Sequence, residues 1–249
     1  MRILCAIIVC VCLASPAYAT SFRGAVHLDV PGTDAFCTVT PPTGTTAGDL
    51  LIAAVHTANN TTTVTPPPGW TLIASGAFGA GNERGVFLYW KIAVENESAA
   101  TWTWPVANNR CACSMAAYYG EIVGTPIESY SNIPYGTNDQ IIRGGSITGT
   151  GDRWLLFVGS TVIAGSNNNA ITSPTDWVED FEGYTSSRRH GYFARTCLSL
   201  NGSAGPFDAT LNVSTTEKHA MVLVLANGGV SCSGGGGGGS MGAGLRRRW

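Results

Sequence analysis

Two stretches of about a hundred residues repeat one another along this 249-residue chain, and few folds accommodate such a repeat. Gly48-Asp49-Leu50-Leu51-Ile52-Ala53 is echoed by Gly151-Asp152-Arg153-Trp154-Leu155-Leu156, and Pro67-Pro68-Gly69-Trp70 by Pro174-Thr175-Asp176-Trp177. Arg84 followed by 86–91 corresponds to Arg188 followed by 190–195. Ala100-Thr101-Trp102-Thr103-Trp104 matches Ala209-Thr210-Leu211-Asn212-Val213, and Met115-Ala116-Ala117-Tyr118-Tyr119 matches Met221-Val222-Leu223-Val224-Leu225. The offset drifts between 103 and 109 residues, a period that points to duplicated domains or sandwich halves rather than to a solenoid.

Within each copy the runs 50–56, 86–94, 154–162 and 221–225 are rich in β-branched and aromatic residues. Clusters of Gly, Pro, Asn and Thr separate them, and no sustained helical periodicity follows residue 19. Trp102 and Trp104 alternate with Thr101 and Thr103 as on a half-buried strand. The expectation is an all-β protein: a tandem β-sandwich, immunoglobulin-like or jelly-roll-like, with one repeat over 20–125 and the second over 126–231. One larger sandwich with a half from each copy is the rival architecture.

Both ends lie outside the repeats. Residues 1–19 read as a cleaved secretory signal peptide: Arg2, an apolar run over 3–13, then Ala17-Tyr18-Ala19 as a small-x-small cleavage site. No later segment approaches ~20 consecutive apolar residues, so no transmembrane helix is expected. The leader implies a secreted, extracellular or periplasmic protein. Residues 232–249 hold six consecutive glycines and end in Arg246, Arg247, Arg248 and Trp249, which reads as a flexible tail with a cationic tip. Leaving out Arg2 and the terminal arginines, 10 basic residues face 16 acidic ones, a balance of −6 that argues against nucleic-acid binding. Only 12% of residues are charged, which excludes coiled coils and charged disordered chains.

Five cysteines remain past the leader: Cys37, Cys111, Cys113, Cys197 and Cys232. Export permits one or two structural disulfides, and the odd count leaves one thiol over or linked to another chain. Cys111 and Cys113, two apart, share a strand face and cannot readily bridge each other.

Chemistry-bearing patterns are scarce. His27, His56, His190 and His219 fall in no zinc-ligand spacing, and a phosphate loop is absent. The expectation is therefore no catalytic residue, no metal and no cofactor. A Ca²⁺ site is the exception considered, at the cluster Asp176, Glu179, Asp180 and Glu182, whose leading reading is a solvated face. Glu95 and Glu97 read as solvated carboxylates of a polar turn. Asp49 and Asp152 occupy matched turn positions, where a carboxylate accepts backbone N–H bonds. Most of the tryptophans read as core, because Trp102, Trp104 and Trp154 each fall opposite an aliphatic residue in the other copy. What survives as candidate binding residues lies at two matched loops: Phe78 and Arg84 in the first copy, Tyr184, Arg188 and Arg189 in the second. Each loop joins an aromatic to arginine, and sandwich-end loops are where recognition residues gather.

Ala47-Gly48-Asp49-Leu50-Leu51, Pro68-Gly69-Trp70, Tyr89-Trp90-Lys91, Thr101-Trp102-Thr103-Trp104 and Ala117-Tyr118-Tyr119-Gly120, in this order, resemble a pattern in uncharacterised β-rich proteins exported by bacteria or encoded in phage tail-fibre regions. The resemblance spans about residues 25–228 and implies an extracellular or virion-surface binding module; it supplies no catalytic positions. The leading expectation is a secreted, non-enzymatic binding or adhesion module for a cell-surface glycan or protein, with homo-oligomer formation open. A structural protein of a virion or surface appendage is the second reading, and a polysaccharide-active enzyme the third.

Overall fold

The computed structural model describes residues 21–30, 34–58, 63–78, 84–105, 111–120, 122–131, 139–162, 170–184, 189–215, 218–227 and 232. Residues 1–20, 233–249 and Arg188 lie outside them. Strands dominate, and among the described residues there is no helix. The first copy forms β1 (Ser21–Val30), β2 (Phe36–Val39), β3 (Leu50–Ala58), β4 (Thr71–Phe78), β5 (Arg84–Ile92), β6 (Ala100–Thr103) and β7 (Cys111–Tyr119). The second forms β8 (Ile122–Tyr130), β9 (Asp139–Arg143), β10 (Ile147–Val162), β11 (Ile171–Thr172), β12 (Val178–Tyr184), β13 (Arg189–Ala204), β14 (Asp208–Thr215) and β15 (Lys218–Asn227).

Each copy builds one five-stranded antiparallel sheet and one smaller sheet. The large sheets run β1-β7-β3-β5-β4 and β8-β15-β10-β13-β12, the same order element for element, and the small ones are β2-β6 and β9-β14-β11. Three cores separate four layers. Leu51, Ala53, Val55, Phe87, Tyr89 and Met115 pack against Cys37, Val39 and Trp102 of the first small sheet. Leu155, Phe157, Tyr192 and Val222 pack against Ile142, Ala209 and Leu211 of the second. Leu50, Ile52, Leu88, Tyr118, Leu156, Val158, Phe193, Met221 and Leu223 fill a third core between the large sheets. A central strand buried on both faces needs apolar side chains at every position instead of alternate ones. That is why β7 reads Cys-Ala-Cys-Ser-Met-Ala-Ala-Tyr, with all eight of these residues buried.

Local sequence sets the turns alike in both copies. Trp70 N–H donates to Pro67 O (3.4 Å) and Trp177 N–H to Pro174 O (3.2 Å). The third turn position has positive φ in each, 84° at Gly69 and 66° at Asp176. Glycine takes that conformation without steric cost and aspartate is among the side chains that tolerate it. The turn then delivers Trp70 and Trp177 into matching cores.

Pairing register corrects three correspondences read from the letters. Ala53 pairs with Met115, and Phe157 with Val222, so Met115 matches Val222 instead of Met221. His56 pairs with Val86, and Ser160 with Gly191, so Arg84 matches Arg189 instead of Arg188. Leu51 matches Leu155 and not Trp154, because Leu51 and Leu155 face the small-sheet cores while Leu50 and Trp154 face the core between the large sheets. A slip of one residue along a strand moves every side chain to the opposite face, so letters that match across it occupy different environments.

The large sheets stack with their strand orders reversed: β1 lies against β12 and β7 against β13. Because β12 and β13 are the counterparts of β4 and β5, the copies are related by an approximate twofold axis rather than by translation.

A candidate recognition end of the paired sheets

Register determines which ends of the two sheets coincide. Ala58 pairs with Arg84 at one end of the first sheet, and Val162 pairs with Arg189 at one end of the second. His56, two residues from Ala58, meets His219 across the interface with ring centroids 4.8 Å apart. His219 pairs with Ser160, two residues from Val162, so both ends lie on the same side of the molecule. The twofold axis therefore runs along the strands and carries matched hairpins to one end.

Phe78 pairs with Arg84 at the close of the β4–β5 hairpin, and Tyr184 pairs with His190 at the close of β12–β13. Arg189 starts β13 at the register position equivalent to Arg84. The structure thus assembles Phe78, Arg84, Tyr184 and Arg189 at one end, at strand positions, while Arg188 falls outside the described residues.

Beneath that end lies a buried polar layer that local sequence does not reveal. Asp29, His56, Ser114, Ser160 and His219 are all buried, together with Thr57, Thr161 and Lys218 facing the small-sheet cores. His27 Nδ1 lies 2.8 Å from Ser114 Oγ. Gly191 covers this pair from the second sheet: a Cβ there would collide with Ser114 Oγ and come within 3.1 Å of His27 Nδ1. The Ser114 hydroxyl of this pair is thus packed between the sheets, whereas His27 is partly exposed. Burial pushes the His219 imidazole down to about 3. The signal for this layer was available: serine, histidine and lysine interrupt otherwise apolar strand runs, and only the strand pairing shows that they share a level.

Toward the other end the charges neutralise one another. Arg23 Nε lies 2.6 Å from Asp49, Lys91 Nζ 2.6 Å from Glu97, Arg153 Nε 2.6 Å from Glu128 and Arg195 2.9 Å from Asp180. Asp49 also accepts the Thr46 N–H (2.8 Å), the turn role expected of it, whereas Asp152 accepts the Cys232 N–H (2.7 Å) and ties down the chain beyond β15. Glu97 is not a solvated carboxylate: its side chain is 4% exposed and accepts the Val94 N–H. Asp180 likewise departs from the solvated-face expectation, since the β-bulge between Glu179 and Phe181 turns it into the interior. Burial there pushes its carboxyl up to about 7, against the opposing pull of Arg195 and the Tyr118 hydroxyl. Glu182 accepts the Ile171 N–H at 2.9 Å, and Asp176 occupies its turn, so the four acidic residues proposed for Ca²⁺ do not converge. Among the described residues no group of three His, Cys, Asp or Glu side chains is arranged to hold a metal.

Trp70, Trp102, Trp104 and Trp177 are buried, which removes these four from any sugar-stacking platform, while Trp90 and Trp154 are partly buried and pack against the core between the large sheets. Cys37 bridges Cys113, Cys197 bridges Cys232, and Cys111 stands outside both disulfides. No helix among the described residues is long and apolar enough to cross a membrane. Comparison with family models, curated proteins and solved structures finds no match to the chain.

Proposed function

We propose that this protein is a secreted, non-enzymatic binding module that recognises an anionic or sugar-bearing cell-surface ligand through the end of the paired sheets holding Phe78, Arg84, Tyr184 and Arg189. The observation that carries this reading is the equivalence of Arg84 and Arg189: both begin the strand that leaves a hairpin, in matching register, at the shared end. Other positions differ between the two copies. Lys91 stands opposite Thr196, and Trp90 opposite Arg195. An arginine at both hairpin ends is what bidentate recognition of carboxylate, sulfate or phosphate groups uses. Two disulfides agree with an oxidising exterior.

The test is binding of the purified protein to an array of neutral, carboxylated and sulfated glycans and to whole cells. Arg84→Ala and Arg189→Ala should each weaken binding by roughly tenfold or more, as loss of a charge-assisted contact does, with the effect fading at high salt. Binding indifferent to both substitutions, in variants with native circular dichroism, would refute the reading. Hydrolysis products appearing in the same assay would favour the polysaccharide-active alternative, and regular self-assembly under electron microscopy the virion or appendage one.

A further inference from the structure

Three cysteines meet in the first small-sheet core. Cys111 and Cys113 lie two apart on β7, on the face turned to β2, and both belong to the same buried cluster as Cys37. Cys37 is bonded to Cys113. Cys111 Sγ lies 3.6 Å from the carbonyl oxygen of Phe36, the residue immediately before Cys37. The Phe36–Cys37 segment thus passes over both β7 sulfurs, with one bonded to it and the other against its backbone. All three side chains are at most 1% exposed, so external thiols and oxidants have poor access.

We propose that Cys37 is shared between the two β7 cysteines by intramolecular thiol–disulfide exchange. The Cys111 thiolate attacks Cys37 Sγ; the Cys37–Cys111 bond forms as the Cys37–Cys113 bond breaks, and Cys113 leaves as a thiolate that takes up the proton Cys111 gave up. One disulfide and one thiol exist before and after, so no oxidant or reductant is consumed. The exchange moves the anchor of β2 along β7 by two residues, about 6.7 Å at strand rise, toward the end where Arg84 and Arg189 lie. Cys111 pairs with Thr57, one residue from the Ala58–Arg84 pair, so the alternative bond ties the small sheet directly beneath the recognition end. The exchange does not depend on the binding proposal.

Native protein is incubated without added thiol at about pH 8.5, near the ordinary cysteine pKa, and in parallel at about pH 6. It is then quenched in acid and unfolded into excess N-ethylmaleimide. Trypsin and cyanogen bromide cut after Arg110 and Met115, and fragmentation of the 111–115 peptide locates the maleimide. Maleimide should move from Cys111 alone to a stable mixture of Cys111 and Cys113, faster at the higher pH. Cys111→Ser should hold the Cys37–Cys113 bond at every time point, and Cys113→Ser should form Cys37–Cys111. Maleimide confined to Cys111 in the native protein at all times would overturn the exchange. A folded Cys113→Ser protein with both remaining thiols reactive after oxidation would do the same; if that variant does not fold, the native-protein measurement decides alone.

Discussion

The imidazole of His56, on β3 of the first copy, lies against that of His219, on β15 of the second, with ring centroids 4.8 Å apart and planes inclined by 40°. Both rings are buried, so this contact cannot accept charge cheaply. It sits in the same interface as Asp180, and the two groups make the stability of the molecule respond to pH in opposite senses.

Between about pH 3 and 6.5 an unfolded chain protonates His219 while the folded one does not, so stability rises with pH across that window. Between about pH 4 and 7 the folded chain holds a proton on Asp180 that the unfolded chain has released, so stability falls with pH. Where the windows overlap the slopes oppose. Chemical denaturation across this range should show His219→Gln losing stability as pH rises and Asp180→Asn gaining it, each approaching about 1.4 kcal/mol per pH unit. Parallel pH profiles in both variants would contradict this account.

Gly191 allows the sheets to approach at Ser114. Gly191→Ala should cost about 1–3 kcal/mol in urea denaturation, the range for overpacking a filled core. Adding Ser114→Gly should return part of that loss, because the colliding hydroxymethyl is gone, although the hydrogen bond to His27 goes with it. No recovery in the double variant would place the strain elsewhere.

Trp102 is fully buried and edge-on to Trp70 at 5.1 Å. Trp102→Ala should cost about 3–5 kcal/mol. Phe36→Ala, one register step away across the same small sheet but 48% exposed, should cost well under about 1 kcal/mol. Thermal melts of the two variants make the comparison directly.

The Cys197–Cys232 bridge closes a loop with a sequence separation of 35 and fastens the chain beyond β15 to β13. Replacing both cysteines by serine should lower stability by about 3–4 kcal/mol through the larger entropy of the unfolded chain. The difference should vanish when native and variant proteins are compared after reduction.

The all-β class was legible because duplication, turn residues and β-branched runs all pointed one way. The positions of the tryptophans were legible too, since Trp102 facing Leu211 in the repeat marks a site defined by volume and dryness. The stacking of the large sheets was harder to read. Its trace is the nearly continuous apolar character of β7 and of β15, which strand alternation alone leaves ambiguous with respect to partner. Glu97 and Asp180 were misread as solvated because an acidic residue beside a turn looks the same whether it faces water or a lysine or arginine brought in by a neighbouring strand. Gathering Arg84 and Arg189 at one end needed the register, which no spacing between them encodes.

The approximate twofold between the copies frees this chain from a rule that binds ordinary dimers. Identical subunits meeting about a dyad must place the same residue on both sides, so every contact occurs twice. Here the contact of His56 with His219 has as its mirror position Ser160 and Ala112, which carry no imidazole at all. Covalent fusion lets one side of the seam specialise while the other stays inert, and it keeps the halves assembled at any dilution.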